Sequence, residues 1–306
     1  MLATLGTAAS AQGTKVAIGI SGWTGFAPLT LAKEAGFYKK RGLDVSLMKV
    51  PQKDRHLAIA SGDVQCAATT VETWVVWNAN GVATTQIFQL DRSFGADGMV
   101  VKAGINSIKD LKGKTVAASA PGTAPYFTLA WMLRENGLSM KDVKVVNLEP
   151  QVAANAMIAG TAGIAAAMTY EPYLSAVRAK PEAGKIIATT LDYPMIMDTF
   201  GCTPKFLAEN PRAAKALTDA YFDAVAMIKA EPKKSFEIMG ADVKQTAERF
   251  ESSQKFLRWQ DRAANITFFA GEHAAFSKKA AQILLEAGII KAVPDISKLA
   301  DTRFLK

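Results

Sequence analysis

Apolar positions along the chain fall into two kinds of segment, short runs typical of buried strands and longer runs with a helical period. Lys15–Ser21 alternates apolar and small residues and predicts the first strand. A helix is predicted over residues 28–41, because Leu31, Ala35 and Tyr38 share one face and a run of cations closes the segment. Leu43–Val50 predicts the second strand.

The same alternation continues along the chain. It predicts strands at 63–69, 115–119, 143–148 and 164–169, and helices at 53–61, 71–79, 126–136 and 151–159. The last third is predicted to be mainly helical, with helices at 204–209, 211–230, 232–239, 243–257 and 269–287. Alternating strands and helices indicate an α/β fold with mainly parallel sheets. We expect two similar lobes with a cleft where strand ends and helix N-termini converge.

Composition excludes several classes of protein. The 306 residues fit about two domains, and 49% hydrophobic with 21% charged residues is typical of a folded chain. Two cysteines cannot build a disulfide scaffold or a four-thiolate zinc site, and two histidines leave little for metal binding or acid–base chemistry. No metal site and no cofactor are predicted.

Net charge is +8, from 36 basic and 28 acidic residues, which raises nucleic acid or an anionic partner as candidates. The lysines, however, are scattered over helix ends and polar loops. They form no run of five or six cations and no alternating basic–aromatic stripe. A solvated surface is therefore predicted, without nucleic-acid binding.

The chain begins with Met1–Gln12, small and apolar, ending in a small-x-small pattern with cleavage expected after Ala11. We interpret residues 1–14 as the remnant of a secretory signal, the alternative being a frayed, disordered terminus. An exported chain enters an oxidising compartment, where Cys66 and Cys202 can pair. Two buried free thiols remain the alternative.

Turns at the predicted cleft carry candidate ligand contacts. Gly22, Trp23 and Thr24 precede the first helix, where free N–H groups and a tight backbone can approach a ligand. Trp23 is either an aromatic wall for a ligand or a plug between helix and sheet. Thr70 either caps the following helix or contacts the ligand. In the second lobe Thr123 occupies the corresponding turn, before Tyr126.

Acidic residues form the next candidates. Asp91, Asp97, Glu171 and Asp198 fall at predicted strand ends or connections. Glu171 is either a helix-dipole acid or a carboxylate that reaches into the cleft to accept from an N–H or cationic group. Converging acids would repel an unescorted anion. The chain contains no GxSxG, HExxH, CxxC, GxxxxGK[ST] or GxGxxG pattern, so no catalytic residue is predicted.

In this context a family resemblance emerges. It rests on an ordered set of stretches: Gly22-Trp23 with residues 28–39, residues 60–65, residues 95–98, residues 107–114, residues 170–175 and residues 287–291. Residues 15–306 resemble the periplasmic substrate-binding proteins of the nitrate/sulfonate/taurine class of ABC importers, most closely the sub-branch for urea-linked, amine or pyrimidine-type solutes. One departure is Ala165-Ala166-Ala167, where relatives commonly read Asp-Ala-Ala.

This resemblance implies two Rossmann-like lobes of the type II periplasmic binding protein fold, the first formed by 15–99 plus 203–306 and the second by 100–202. It implies a periplasmic, non-enzymatic monomer that closes on a small nitrogen-containing or sulfonate-type solute and delivers it to a membrane permease. Together with the residue analysis it predicts ligand contacts at Gly22, Trp23, Thr24, Thr70, Asp97, Thr123, Tyr126, Tyr170, Glu171 and Asp198. The alternative is an enzyme on the same scaffold, similar to the fungal pyrimidine synthases of thiamine biosynthesis, whose cysteine-rich iron motif this chain lacks.

Overall fold

The computed structural model describes residues 13–306, which form two β-sheets flanked by helices. The strands are β1 (Thr14–Ile20), β2 (Leu43–Lys49), β3 (Cys66–Thr70), β4 (Thr85–Ser93), β5 (Asp97–Val101), β6 (Thr115–Ala118), β7 (Lys144–Asn147), β8 (Ala166–Tyr170), β9 (Lys185–Thr189), β10 (Met197–Cys202) and β11 (Leu257–Trp259). The signal-sequence prediction at Met1–Gln12 lies outside the described residues.

Helices cover both sheets. They are α1 (Ala27–Glu34), α2 (Phe37–Lys40), α3 (Gln52–Ser61), α4 (Val71–Ala79), α5 (Ala124–Glu135), α6 (Pro150–Ile158), α7 (Tyr173–Arg178), α8 (Pro204–Glu209), α9 (Pro211–Ala230), α10 (Pro232–Asp242), α11 (Ala247–Ser253), α12 (Arg262–Thr267) and α13 (His273–Glu286), with a π-helical turn at Phe268–Glu272. The predicted α/β fold is confirmed.

The strand order is β11-β4-β10-β3-β1-β2 in the first sheet and β7-β6-β8-β5-β9 in the second. β1 pairs in parallel with β2 and β3, and β6 pairs in parallel with β7 and β8. The other pairings are antiparallel: β10 with β3 and β4, β11 with β4, and β5 with β8 and β9. Both sheets are therefore mixed, and each carries three strands joined in parallel.

Two crossovers connect the sheets, over residues 94–96 and 190–196. β5 pairs with β8 and β9 of the second sheet. β10 pairs with β3 and β4 of the first. Backbone pairing, which local sequence does not reveal, decides the sheet to which each strand belongs.

The crossovers run side by side and are tied by hydrogen bonds. The hydroxyls of Ser93 and Thr190 lie 2.6 Å apart, and the Thr190 hydroxyl also accepts from the Gly95 N–H at 2.9 Å. The Ser93 hydroxyl accepts from the Asp97 N–H at 3.1 Å. This network places the start of β5 beside the point where the chain returns to the first sheet.

Three predicted helices were wrong in extent. The segment 28–41 is divided into α1 and α2 by Gly36, whose φ of 75° lies in the left-handed region. The segment 243–257 contains α11 and then leaves the helix to form β11. The helix predicted at 269–287 begins at His273 and is preceded by α12 and the π-helical turn.

Apolar side chains form a core beneath each sheet. The first packs β1 and β4 against α1 and α9, and the second packs β5 and β6 against α5. Val71 and Val75 of α4 and Phe276 of α13 also belong to the second core. These two helices come after strands of the first sheet, but they pack into the other lobe. The lobes are thus in apolar contact behind the cleft.

Cys66 and Cys202 form a disulfide. They face each other in the antiparallel register of β3 and β10, and both are fully buried. The structure thereby selects one of the two alternatives that the sequence left open. The bond joins the first part of the chain to its return from the second sheet.

Candidate functional site

Strand ends from both sheets meet at one small cavity between the lobes. β3 ends at Thr70, which lies opposite Asp198 of β10, and β8 ends at Tyr170, which lies opposite Asp97 of β5. The lining residues are Ser21, Trp23, Phe26, Gln52, Arg55, Thr70, Asp97, Ala124, Tyr170, Ile196 and Asp198. The cavity volume is about 20 Å³, room for about one water molecule, so the cleft is closed.

An aromatic pair forms one wall. The rings of Trp23 and Tyr170 meet edge to face with centroids 5.4 Å apart. The Trp23 indole N–H lies 3.3 Å from both carboxyl oxygens of Asp91. A Cβ at Gly25 would lie 2.1 Å from the indole nitrogen and 2.2 Å from Asp91 Oδ2, so only glycine allows this contact. Trp23 is therefore both a cavity wall and a packed side chain.

Four carboxyl groups are buried in and around the cavity: Glu72, Asp91, Asp97 and Asp198. Burial raises the pKa of Glu72 to about 8, of Asp91 to about 8 and of Asp97 to about 7. Burial also raises the pKa of Asp198, and repulsion from Asp91 adds to the increase. Both oxygens of Glu72 and Oδ2 of Asp97 have no hydrogen-bond partner among the described residues.

Arg55 is the guanidinium that lines the cavity, and it is 1% exposed. Its Nε and Nη2 donate to the Val50 carbonyl at 3.2 and 2.9 Å, and Nη1 donates to the Ala68 carbonyl. Burial lowers its pKa to about 10, so it remains charged at neutral pH. Within the cavity lining, this one positive charge accompanies two carboxyl groups, those of Asp97 and Asp198.

Glu171 is buried but does not line the cavity. It forms an ion pair with Arg178, and its Oε2 accepts from the Ser175 N–H at 3.2 Å. Arg178 also donates to the Gly95 carbonyl at 3.0 Å and stacks 3.9 Å above the Phe256 ring. Glu171 and Arg178 together link the start of α7 to the crossover at Gly95.

Five of the ten predicted contacts line the cavity: Trp23, Thr70, Asp97, Tyr170 and Asp198. The other predicted residues lie nearby without lining it. Gly22 borders a wide groove between the lobes, where Tyr173 lies opposite. Thr24 is buried, and its N–H is 3.5 Å from the Glu171 carbonyl. The Thr123 hydroxyl donates to the Ala120 carbonyl at 2.7 Å, and Tyr126 is half-buried on α5.

Sequence reasoning missed Gln52 and Arg55 on α3, because this helix start has a polar surface pattern. One feature of the sequence could have identified these two residues. The start of α3 follows the parallel strand β2, just as the turn with Trp23 follows the parallel strand β1. Gln52 crosses the cleft: its Nε2 donates to the Thr69 and Thr73 hydroxyls at 2.9 Å each, and its Oε1 accepts from the Ala124 N–H at 3.1 Å. Glu72 was missed because it falls in the apolar start of α4.

Ala165, where relatives commonly carry an acid, lies just before β8. The cavity is at the other end of this strand, where Tyr170 lies, roughly 16 Å away at about 3.3 Å per residue. The departure from the family pattern therefore leaves the cavity unchanged. His56 and His273 do not line the cavity either.

Two sheets linked by paired crossovers, with a cavity at facing strand ends, define the bilobal fold of periplasmic binding proteins. Residues 23–235 match the family model described as NMT1/THI5 like. The match spans more than two thirds of the 306 residues, and the chain belongs to this family. The expected resemblance is thus confirmed.

Solved structures share the fold. The alkanesulfonate-binding protein SsuA of Xanthomonas axonopodis pv. citri, bound to MOPS, has 15% identity and a TM-score of 0.80 over 95% of this chain and 99% of its own. The periplasmic nitrate-binding protein NrtA of Synechocystis PCC 6803 has 19% identity and a TM-score of 0.75 over 96% and 87%. The ligand-binding component of an ABC-type import system of Staphylococcus aureus, with zinc bound, has 14% identity and a TM-score of 0.77 over 95% and 98%. No curated protein sequence matches the chain.

Two further observations concern residues 13–306 alone. None of their helices combines the length and apolar character needed to cross a bilayer. Nor does this part of the chain contain a group of three or more His, Cys, Asp or Glu side chains that could hold a metal ion. The four carboxyl groups are therefore not arranged as a metal centre.

Proposed function

We propose that this chain is the extracytoplasmic solute-binding component of an ABC importer, which captures a small polar solute by closure of its two lobes and delivers it to a membrane permease. The observation that carries the proposal is the closed cavity itself, since its walls come from both sheets. Trp23 and Thr70 belong to the first lobe, and Asp97 and Tyr170 to the second. A ligand that contacts both lobes stabilises the closed form by its differential affinity.

The proposed lobes follow the sheets. The first comprises residues 13–93 and 197–306, and the second comprises 97–189, with the paired crossovers as the hinge. Hinges of this kind absorb rotation at a few connecting residues. The proposed site comprises Trp23, Thr70, Asp97, Tyr170 and Asp198 from the sequence prediction, with Gln52 and Arg55 added. The other five residues predicted from the sequence lie next to this site, and we propose that they pack around it when the lobes close: Gly22, Thr24, Thr123, Tyr126 and Glu171.

Export is part of the proposal. The small-x-small pattern before Gln12 and the buried Cys66–Cys202 disulfide both favour an oxidising compartment outside the cytoplasm, and we place the protein in the periplasm. The same disulfide disfavours the enzyme alternative, since both cysteines of the chain are bonded to each other. A monomer with no catalytic turnover is proposed.

The test combines binding and shape. Isothermal titration and native mass spectrometry against taurine, alkylsulfonates, nitrate, urea derivatives, amines and aminopyrimidines should detect 1:1 binding by at least one probe. Small-angle scattering should show a smaller radius of gyration with that probe than without it. Trp23→Ala should abolish binding, whereas Leu57→Ala, an exposed apolar residue outside the cavity, should not. Conversion of a bound probe to product would contradict a pure binding role.

A further inference from the structure

Within the proposed function, on which this step rests, we infer that the solute is an organic monocation bound in exchange for a proton held by the four buried carboxyl groups. This cation would take its place between the carboxyl cluster and the aromatic wall. The cavity there has room for about one water molecule, so the lobes would close around the cation less tightly than they do in this structure. The inference narrows the solute class and differs from the sulfonate and nitrate that the structural neighbours are named for.

The geometry supplies an unbalanced negative site. Glu72, Asp91, Asp97 and Asp198 are 1%, 0%, 4% and 2% exposed and come from α4, β4, β5 and β10. Arg55 is the cation that lines the same cavity. Of these four, Asp97 and Asp198 line the cavity, and Glu72 and Asp91 lie behind its wall. If all four were ionised, the acids would outnumber the lining guanidinium by three. Burying an unpaired charge is costly, so the ligand-free site retains protons instead.

One carboxyl oxygen of the cavity wall marks where a cation would bind. Oδ2 of Asp97 is buried without a hydrogen-bond partner among residues 13–306, and Asp97 lines the cavity. Both oxygens of Glu72, which lies behind the lining, are buried without a partner as well. Carboxylates accept hydrogen bonds from ammonium or guanidinium groups strongly when both are desolvated. These orphaned acceptors point to a ligand that brings N–H donors.

The aromatic wall favours the same ligand. The Trp23 and Tyr170 rings line the cavity, and ring faces attract organic cations. Arg55 is poorly placed to compensate an anion, because three of its hydrogen bonds go to the Val50 and Ala68 carbonyls. An anion in the cavity would therefore face Asp97 and Asp198 with one partly engaged guanidinium. A metal cation lacks a ligand cluster of suitable geometry among the described residues.

Other titratable or charged groups surround the cluster. Three of them interact electrostatically with its members: Arg55 on α3 with Asp198, Glu171 before α7 with Asp97, and Tyr221 on α9 with Asp91 and Asp198. Tyr170 on β8 and Glu149 before α6 act on Arg55, and Arg178 on α7 acts on Glu171. The Tyr170 phenol stays neutral because burial raises its pKa, and Glu171 is compensated by Arg178. The exchange is then balanced: a protonated carboxyl group of the protein and the ammonium group of the solute form a carboxylate–ammonium ion pair, and one proton is released to the solvent.

Titration calorimetry of the full protein at pH 7 tests the inference. The probes are ethylammonium and guanidinium chloride as cations, sodium ethanesulfonate and sodium nitrate as anions, and N-ethylacetamide as a neutral molecule. We expect a cation to bind at least about tenfold more tightly than either anion. Phosphate and Tris buffers have different ionisation enthalpies. The binding enthalpies measured in the two buffers should therefore differ by the amount expected when about one proton is released per bound cation.

Variants add a second, independent readout. Asp97→Asn and Asp198→Asn keep side-chain size and remove a buried charge, so both should fold, bind the cation more weakly and release less than the wild-type amount of proton. Glu182→Gln, an exposed acid of the second lobe, is the matched control and should change neither quantity. Equal cation affinity in Asp198→Asn and wild type would overturn the role of the cluster.

The outcomes separate the two proposals. If ethanesulfonate or nitrate binds more tightly than both cations, the monocation inference is wrong and the solute-binding function stands. If a cation binds with equal heats in both buffers, proton exchange is wrong. If no probe of any charge binds and small-angle scattering shows no closure, the solute-binding function fails and this inference fails with it.

Discussion

Asp91 and Asp198 face each other across the antiparallel pair of β4 and β10, with the Trp23 indole N–H 3.3 Å from both oxygens of Asp91. Both carboxyl groups are buried, and burial raises the pKa of each. Two facing carboxylates that are shielded from water repel each other, which favours a proton on one of them. The stability of the protein is therefore expected to depend on pH.

The ligand-free protein is expected to become less stable as pH rises from 5 to 8. Burial raises the pKa of Asp91 and Glu72 to about 8, whereas unfolded carboxyls ionise near ~4. Between these values the folded state binds more protons than the unfolded chain, so the free energy of unfolding falls as pH rises. Calorimetric Tm values across this range measure the slope.

Asp198→Asn should flatten that slope, because it removes one of the buried carboxyl groups whose pKa is raised in the folded protein. Near pH 8 the variant should match or exceed the wild-type Tm, with roughly 2–4 °C expected for each kcal/mol. Glu182→Gln should reproduce the wild-type slope. A Tm that rises from pH 5 to pH 8 in the wild type would contradict the buried proton.

Gln52→Ala is expected to shift the lobes towards the open form. The side chain joins Thr69 and Thr73 of the first lobe to the Ala124 N–H of the second. Losing one hydrogen bond across the cleft costs about 1 kcal/mol, or about fivefold in the open–closed ratio. The radius of gyration should increase and solute affinity decrease. Gln151→Ala, an exposed amide on α6, serves as control, and an unchanged scattering curve for Gln52→Ala would argue against the bridge.

Gly22→Ala should hinder closure, because a Cβ at this position would lie 2.9 Å from the Tyr173 hydroxyl oxygen across the groove. Tyr173→Phe removes that oxygen and should relieve the contact. Solute affinity is measured for both single variants and for Gly22→Ala/Tyr173→Phe. The double variant should bind the solute more tightly than Gly22→Ala alone, which gives a favourable coupling energy in the double-mutant cycle. Simple additivity of the two effects would show that the contact does not govern closure.

Reduction of the Cys66–Cys202 disulfide is expected to destabilise the protein by about 2–5 kcal/mol. The bond spans 136 residues of sequence, including the whole second sheet, so it restricts the unfolded chain strongly. Urea unfolding with and without dithiothreitol measures the difference, and the Cys66→Ala/Cys202→Ala variant should show no response to reductant. Two titratable thiols in protein isolated from the periplasm would contradict the pairing.

The strands predicted from the sequence are those joined in parallel, β1, β2, β3, β6, β7 and β8. Each is followed by a helix or a helical turn, so the change from strand to helical period reveals it. β4, β5, β9, β10 and β11 pair antiparallel, and the sequence pattern did not reveal them. In β4 the buried Gln86, Gln89 and Asp91 interrupt the apolar run, and this conceals the strand.

The candidate site divides in the same way. Trp23, Thr70 and Tyr170 could be predicted because turns after parallel strands meet at one sheet edge. Asp97 and Asp198 were predicted as acids near strand ends, but their position on the antiparallel strands β5 and β10 brings them to the cavity. For Glu171 local sequence allowed two roles and gave no sign of its ion pair with Arg178, which the fold brings about.

By itself, the sequence determined the α/β class, the two similar units, the family and the turn that carries Trp23, because each depends on local period and order along the chain. The tertiary structure alone decided the sheet to which each strand belongs, the Cys66–Cys202 bond, the bridge made by Gln52 and the facing carboxyls of Asp91 and Asp198. These depend on pairing between residues far apart in sequence, and antiparallel register across a sheet leaves no local pattern in the chain.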